Sequence, residues 1–390
     1  MLPSSLTKKM SMKEGVVSYA HSILLTVRKT DGKIISSKRV HSLVKIRKRL
    51  SFEELQNFID EPQNNSSLEW DAELTTQIQQ LLALVSKIRK KRLKDEHFLN
   101  LEISEVNAIC KDESFNQIIM KKDIQNEASL LIEECMLAAN SVVAKEIEEK
   151  KIRCFFRIHS EPNEIKLKEF NEFMKEALQS NDELNADRES CFKFLKTIEK
   201  HPKKDMISCR FLRTLPRAIY DTTSGLHFGL GKKLYTHFTS PLRRYPDLIL
   251  HQQLLNYDLG KRMRSLKRLK EILGVCNIME KRYDEAYYAA NDRLKLHYLR
   301  SHSALSEGTM FEANIQKITS TGLVCNVSDL GLFGFLPFSN LRKSFRRNSS
   351  SRYNGHIDGN HTDFRVGDFI YVRATSIDFI RGMLYLNRVI

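Results

Sequence analysis

The sequence predicts an α+β chain in two parts, a helix-rich body over residues 1–302 and a small five-stranded β-barrel over 303–390. Three observations carry this. Apolar residues recur at helical spacing in several stretches of the first part, most clearly Ala128, Leu131, Ile132, Cys135, Ala139, Val142 and Val143. From about residue 265 to 300 the sequence stays helical in character and is rich in Tyr and charge. At about His302 the pattern changes, and Gly308, Gly322, Gly331, Gly334, Gly367 and Gly382 begin to punctuate short β-rich runs. With 390 residues, 41% of them hydrophobic, the chain has enough apolar material for one large core and one small one.

Taken in order, residues 18–27 read as a strand, Thr30-Asp31-Gly32-Lys33 as a turn, and 34–43 as the hairpin partner. Ser51 suits a helix N-cap, with Glu54 as the reciprocal partner of a capping box. Residues 62–67 are polar and read as a loop, and a helix is expected to start at about Asp71. The end of that helix, 86–94, holds six basic residues in nine, which is either a solvated helix face or a nucleic-acid contact. The stripe beginning at Ala128 makes an amphipathic helix that runs out in the charged stretch 145–151. Glu133 and Glu134 flank the stripe and, taken alone, are two surface glutamates. Another helix covers about 167–178. His227 has no partner at metal-ligand spacing and is read as structural.

The most informative stretch is 235–256, YTHFTSPLRRYPDLILHQQLLN. Tyr235, Thr236, His237, Thr239 and Ser240 precede Pro241 and the pair Arg243-Arg244; Leu248, Ile249, Leu250, Leu254 and Leu255 follow at helical spacing. Ser240 suits the N-cap of this helix and Pro241 its first turn. Backbone N–H groups, hydroxyls and two guanidiniums would then gather at one helix end, where a phosphate binds. An ordinary capped helix with a surface Arg pair has the same local pattern.

Strands over 309–318, 322–327, 334–336, 369–377 and 383–389 fit a barrel of the oligonucleotide-binding type, with Phe311, Ile315, Leu323, Phe335, Leu336, Val366, Ile370, Val372, Ile377 and Leu384 as its core. Residues 342–363 are read as a surface insertion, and His356, Asp358, His361 and Asp363 as part of it rather than as a metal cluster.

Composition narrows the function. A net charge of +15 favours polyanionic partners. Seven scattered Cys with no CxxC give neither a zinc site nor a disulfide framework, and fit reduced thiols in a cytoplasmic protein. No apolar run approaches the ~20 residues of a membrane span, and the N-terminus has no signal-peptide pattern, so no membrane partner is expected.

Residues 237–251 resemble the most recognisable segment of the ribonuclease II / ribonuclease R family. His237, Phe238, Thr239, Ser240, Pro241, Arg243, Arg244, Tyr245, Asp247, Leu248 and His251 match it, and Gln252 stands where the family has Arg. LIEECMLAAN at 131–140, Arg157-Ile158-His159 with Pro162 and Lys166, and the lead-in over 210–230 are similar to family segments too. EGTMFEANI, GFLPFSNL and VGDFIYVRATSID resemble an S1 RNA-binding domain. The resemblance implies the C-terminal portion of an RNB nuclease domain over 1–302 and an S1 domain over 303–390. It implies a hydrolytic 3′→5′ exoribonuclease that releases 5′-mononucleotides from single-stranded RNA. Arg243 would then contact the scissile or neighbouring phosphate as the catalytic arginine. Glu133 or Glu134 would contact ribose, and Phe52, at the family's Tyr position, would pack near the terminal nucleotide. Tyr235, His237, Thr239 and Ser240 would line the RNA. Arg244 and His251 would join them, unless a buried pair with Asp247 accounts for both.

The resemblance also implies two Mg2+ ions, held in the family by a tight run of aspartates. No such run occurs here: Asp95-Glu96, Glu146 with Glu148 and Glu149, and Asp182-Glu183 lie in charged helical sequence. Ala289-Ala290-Asn291 replaces a segment that carries Glu, and Thr321 and Val324 replace the ring pair of the S1 strand. Two other readings therefore stand beside the enzyme: a noncatalytic RNA-binding fragment or pseudoenzyme, and one subunit of a split nuclease whose other chain carries the N-terminal half.

Overall fold

The computed structural model describes residues 2–61, 70–96, 99, 105–112, 117–122, 125–180, 183–301, 308–341, 345–347, 354–357 and 362–389. No helix among them is long and apolar enough to cross a membrane. The chain runs α1 (Ser4–Met10), β1 (Val17–Val27), β2 (Ile34–Lys45), α2 (Phe52–Asp60), α3 (Ala72–Asp95), β3 (Val106–Cys110), β4 (Ile118–Lys122), α4 (Glu127–Glu149), β5 (Phe156–Ile158), α5 (Glu164–Leu178), α6 (Arg188–Thr197), α7 (Lys204–Leu212), β6 (Ile219–Asp221), α8 (Tyr245–Asp258) and α9 (Leu266–Ser301). There follow β7 (Met310–Ile318), β8 (Gly322–Val327), β9 (Leu332–Pro337), β10 (Phe345–Arg347), β11 (Asn354–Ile357), β12 (Thr362–Arg365), β13 (Phe369–Asp378) and β14 (Met383–Arg388). By contacts these divide into two units, one made of residues 1–99, 125–161 and 216–279, the other of 100–124, 162–215 and 280–390.

In the first unit β1 and β2 pair antiparallel as expected. Their turn needs Gly32: its φ is +70°, and a Cβ there would lie 2.5 Å from the backbone N of Ile88 in α3. Ser51 and Glu54 form the full capping box at the head of α2, and the Asp71 side chain caps α3. Helix α4 is the element that the unit shares. Toward its start Ala128 and Leu131 pack with Leu55 and Phe58 of α2 and Ile78 and Val85 of α3. Toward its end Val143 and Ile147 pack with Phe155, Phe238, Ile249, Leu250 and Leu254.

In the second unit β13-β14-β9-β8-β7 close into a barrel, antiparallel except between β14 and β9. Ile315, Leu323, Leu336, Val366, Ile370, Val372 and Leu384 fill it as the alternation predicts. Phe311, Phe335 and Ile377 are only half-buried, and Leu332, Leu386 and Cys325 complete the core instead. Four rings, Phe170, Phe173, Phe194 and Phe211, hold α5, α6 and α7 together. Arg210 of α7 donates to the Gln316 carbonyl, and Lys203 pairs with Asp368 at 3.4 Å.

Three expectations need correction. The helix of the 235–256 stretch starts at Tyr245, with Arg244 as N-cap and Pro246 in its first turn, so Ser240 is not its cap and Pro241 lies before it. Asp247 is the reason: its Oδ2 accepts the Ser240 N–H at 2.8 Å, and the Ser240 carbonyl accepts the N–H groups of Arg243 and Arg244, which closes a turn over 241–243. The insertion at 342–363 is not an unstructured loop throughout, because β10, β11 and β12 form a small antiparallel sheet; Asp358 and His361 lie outside the described residues, as do 62–67 and Asp182. Glu134 is no surface residue, being 2% exposed.

None of the seven Cys forms a disulfide; Cys154, Cys191 and Cys325 are buried. Burial pushes the Cys154 and Cys325 thiols up to about 12.

Candidate nucleic-acid interface

The stretch that the sequence singles out is a loop locked from beneath. Thr236 is fully buried and donates from its hydroxyl to the Phe155 carbonyl at 3.1 Å. Asn140 of α4, 1% exposed, donates to the Tyr235 hydroxyl at 3.0 Å and accepts the Phe238 N–H at 2.9 Å. Phe238 sits in the core and stacks on His251, centroids 4.2 Å apart, while His251 Nε2 meets the Phe238 carbonyl at 2.7 Å. Tyr235 and His251 therefore support the loop rather than face outward. Asn140 escaped sequence reasoning as a site residue; the signal was a carboxamide among apolar residues on an amphipathic helix.

His237 is bonded through Nδ1 to the Tyr220 hydroxyl at 2.7 Å. Burial first, then the Arg244 and Arg157 charges, pushes its pKa down to about 2, so the imidazole stays neutral. Arg244 donates from Nη2 to Asp247 Oδ2 at 2.8 Å, and Thr239 lies at the edge of its reach at 3.5 Å. Asp247 is fully buried, and that burial pushes its carboxyl up against the lowering influence of Arg244. Arg243 differs from its neighbour: it is exposed and enters no ion pair among the described residues. One guanidinium of the pair is used by the fold and the other is presented.

The two glutamates of α4 separate in the same way. Glu134 receives Nε of Arg92 at 2.9 Å together with its Nη2, a bidentate pair in which Arg92 is 7% exposed. Arg92 is one of the six basic residues at the end of α3, so that stretch is not wholly a solvated face. Glu133 is half-exposed and its carboxylate accepts only from Gln125 Nε2, at 2.6 Å, among the described residues. Glu133 lies seven residues before Asn140, about 10 Å along the helix axis at 1.5 Å per residue. Phe52, 56% exposed, opens α2, whose Gln56 accepts the Ala128 N–H at 3.1 Å and so fixes the start of α4. One helix thus carries Glu133 and, through its partners, positions both Phe52 and the 235–247 loop.

The described residues do not fit the implied magnesium pair. That pair needs several converging carboxylates. The group of metal-ligating type found among the described residues is His21, His41 and Asp258, with ligand atoms within 4.8 Å of one another. It has two imidazoles and a single carboxylate, and a cation already sits in it. Arg39 Nη1 lies 2.7 Å from His21 Nε2 and 2.5 Å from Asp258 Oδ2. With two bonds to Glu146 and one more to Asp258, all five Arg39 N–H donors are used. His21 therefore accepts at Nε2; burial first, then His251 and Arg39, pushes its pKa down to about 3.

The RNB domain family matches residues 1–258. The chain is 28% identical to ribonuclease R of Vibrio cholerae over 380 residues, covering 91% of this chain and 44% of that protein. It is 26% identical to ribonuclease R of Thermotoga maritima, covering 98% of this chain and 54% of the other. The chain spans about half the length of the curated relatives it matches. Its fold is similar to that of Mycoplasma genitalium RNase R in complex with ribose-methylated single-stranded RNA, with a TM-score of 0.88 at 23% identity over all of this chain and 60% of that one. It is also similar to yeast Ssd1, described as a pseudonuclease, with a TM-score of 0.65 at 18% identity over 96% of this chain and 44% of that one.

Proposed function

Because the chain belongs to the RNB domain family, we propose that it serves in the cytoplasm as part of a 3′→5′ exoribonuclease of the ribonuclease II / R type, which hydrolyses single-stranded RNA to 5′-mononucleotides. The observation that supports this most is Arg243, an exposed guanidinium without an ion-pair partner among the described residues, on a loop anchored by buried hydrogen bonds. A rigidly placed donor of this kind suits a phosphate on which charge grows during hydrolysis. Glu133 takes the ribose, since Glu134 is held by Arg92. The exposed Phe52 ring packs near the terminal nucleotide. Neutral His237 hydrogen-bonds rather than neutralises charge, and Arg244, Thr239 and Ser240 hold the turn that carries Arg243.

The Mg2+ ions that the family implies take their carboxylates from a polypeptide segment other than the residues described here, either joined to this one or on a partner. The purified chain alone is expected to release no mononucleotides from a 3′-tailed single strand in Mg2+. A complementing polypeptide with the aspartate run is expected to restore release, and Arg243→Ala to slow it by roughly 10²–10³-fold. Steady release by the chain alone, lost on Arg243→Ala, overturns the assignment of the carboxylates to another segment. The noncatalytic reading is favoured by the lack of converging carboxylates among the described residues. It wins if complementation restores nothing while RNA binding persists.

A further inference from the structure

The loop that carries Arg243 holds a second group whose chemistry is set by its neighbours. His237 is half-buried, and its ring makes one hydrogen bond among the described residues, at Nδ1, with the Tyr220 hydroxyl at 2.7 Å. Nε2 has no hydrogen-bond partner among them and reaches solvent. The charges of Arg244, Arg157 and Arg243 all act on this ring, so it lies in a field that favours anions.

The Tyr220 hydroxyl decides which nitrogen carries the proton. In a neutral imidazole one nitrogen donates and the other accepts, and the hydrogen bond made by one sets the state of the other. Tyr220 is 5% exposed. Its backbone N–H donates to Asn277 Oδ1 at 2.9 Å and its carbonyl accepts from Asn277 Nδ2 at 3.0 Å, so the residue is held from both sides. Arg157, paired with it across β5 and β6, lays its guanidinium over the ring, 4.4 Å from the centroid. A cation on that face draws density from the ring and makes the hydroxyl the better donor. The hydroxyl therefore donates to Nδ1, and the proton of the imidazole stands on Nε2, the nitrogen without a partner.

We propose that His237 presents its Nε2–H to a phosphate oxygen of RNA beside Arg243, with Tyr220 as the positioning residue that sets the tautomer. This rests on the proposal that the chain acts on RNA. The choice of a phosphate follows from the fixed proton. A ribose hydroxyl both gives and takes hydrogen bonds and is met by either tautomer, whereas a phosphate oxygen only accepts. The ring is neutral, because burial first and then the neighbouring arginines oppose its protonation. It therefore adds a directed bond and no charge. Arg243 neutralises the phosphate, and His237 orients it.

The test combines nitrogen NMR of the imidazoles in the full chain with fluorescence anisotropy of a labelled oligouridylate and its 2′-deoxy counterpart across a salt series. In the wild type at neutral pH, His237 is expected to show a protonated Nε2 and a bare Nδ1. Tyr220→Phe removes only the hydroxyl. It is expected to mix the two tautomers, moving the two nitrogen shifts toward each other, and to weaken binding about twofold as the donating form falls to about half. His237→Leu is expected to weaken binding of both strands about tenfold, the loss of one hydrogen bond to a charged group. The salt slope stays unchanged in that variant, whereas Arg243→Ala lowers it by about one. His237→Gln, whose amide still offers an N–H, is expected to recover most of the loss. A bare Nε2 in the wild type overturns the proposal, as does His237→Leu binding RNA as tightly as the wild type. A loss confined to the ribose strand moves the contact to a sugar hydroxyl and overturns the phosphate assignment. If His237→Leu melts early, Tyr220→Phe decides, and unchanged nitrogen shifts there overturn the tautomer lock. If the wild type binds no RNA at all, the proposed action on RNA itself fails and this inference falls with it.

Discussion

Arg92 and Glu134 bury two charges in one place, and their mutual contact is what makes that burial tolerable. Breaking a buried bidentate pair is costly, so Glu134→Gln is expected to cost about 3–5 kcal/mol, measured by urea unfolding. Arg92→Met combined with Glu134→Leu is expected to recover most of that loss, because two well-packed apolar side chains replace a pair that only offset its own desolvation. A ribose contact by Glu134 itself predicts the opposite ordering in RNA affinity, with Glu134→Gln weaker than Glu133→Gln. Nothing in the sequence pairs residue 92 with residue 134. Six basic residues in nine look alike along a line, and only the inner face of α3 singles one out. The Arg244–Asp247 pair was legible, since it spans three positions. The helix start was not: Asp247 reaches back to the Ser240 N–H, a contact that local propensity does not contain.

At the scale of elements, strands were easier to read than their surroundings. Period-two alternation and turn glycines located all five barrel strands, because inward and outward residues differ so plainly there. The insertion hid β10–β12, since strands of three and four residues are too short to show a period-two alternation. We propose that the barrel, residues 303–390, folds when expressed alone, because closure leaves no unpaired edge. It loses the bonds from Arg210 and from Lys295, which donates to the Gly331 carbonyl at 2.9 Å, and the Lys203–Asp368 pair. Its urea midpoint is therefore expected below that of the same strands in the whole chain. A random-coil far-ultraviolet spectrum for the isolated piece counts against the 302/303 boundary.

For the molecule as a whole, acid is the informative stress. His21 and His237 are held near 3 and 2 in the fold, against about 6.5 when unfolded. Above pH 6.5 both states carry neutral imidazoles and these two groups contribute nothing to the balance. As pH falls below 6.5 the unfolded chain takes up protons that the fold refuses, so stability declines steadily toward pH 3. Melting temperature is expected to drop over pH 6.5–4, and the drop to lessen in His237→Gln. A flat profile means that these rings are hydrated after all. The pairs that Arg39 makes beside His21, with Glu146 and Asp258, were invisible in the sequence, because they join positions more than a hundred residues apart.

Two of the three buried thiols give the chain internal clocks. Cys154 lies in the first contact unit and Cys325 in the second, and both are protonated far above neutral pH. Only the thiolate is alkylated, so each sulfur reacts when its own surroundings part and not before. Mass counting of label at the two positions therefore times the opening of each unit separately, with no probe introduced and no residue changed.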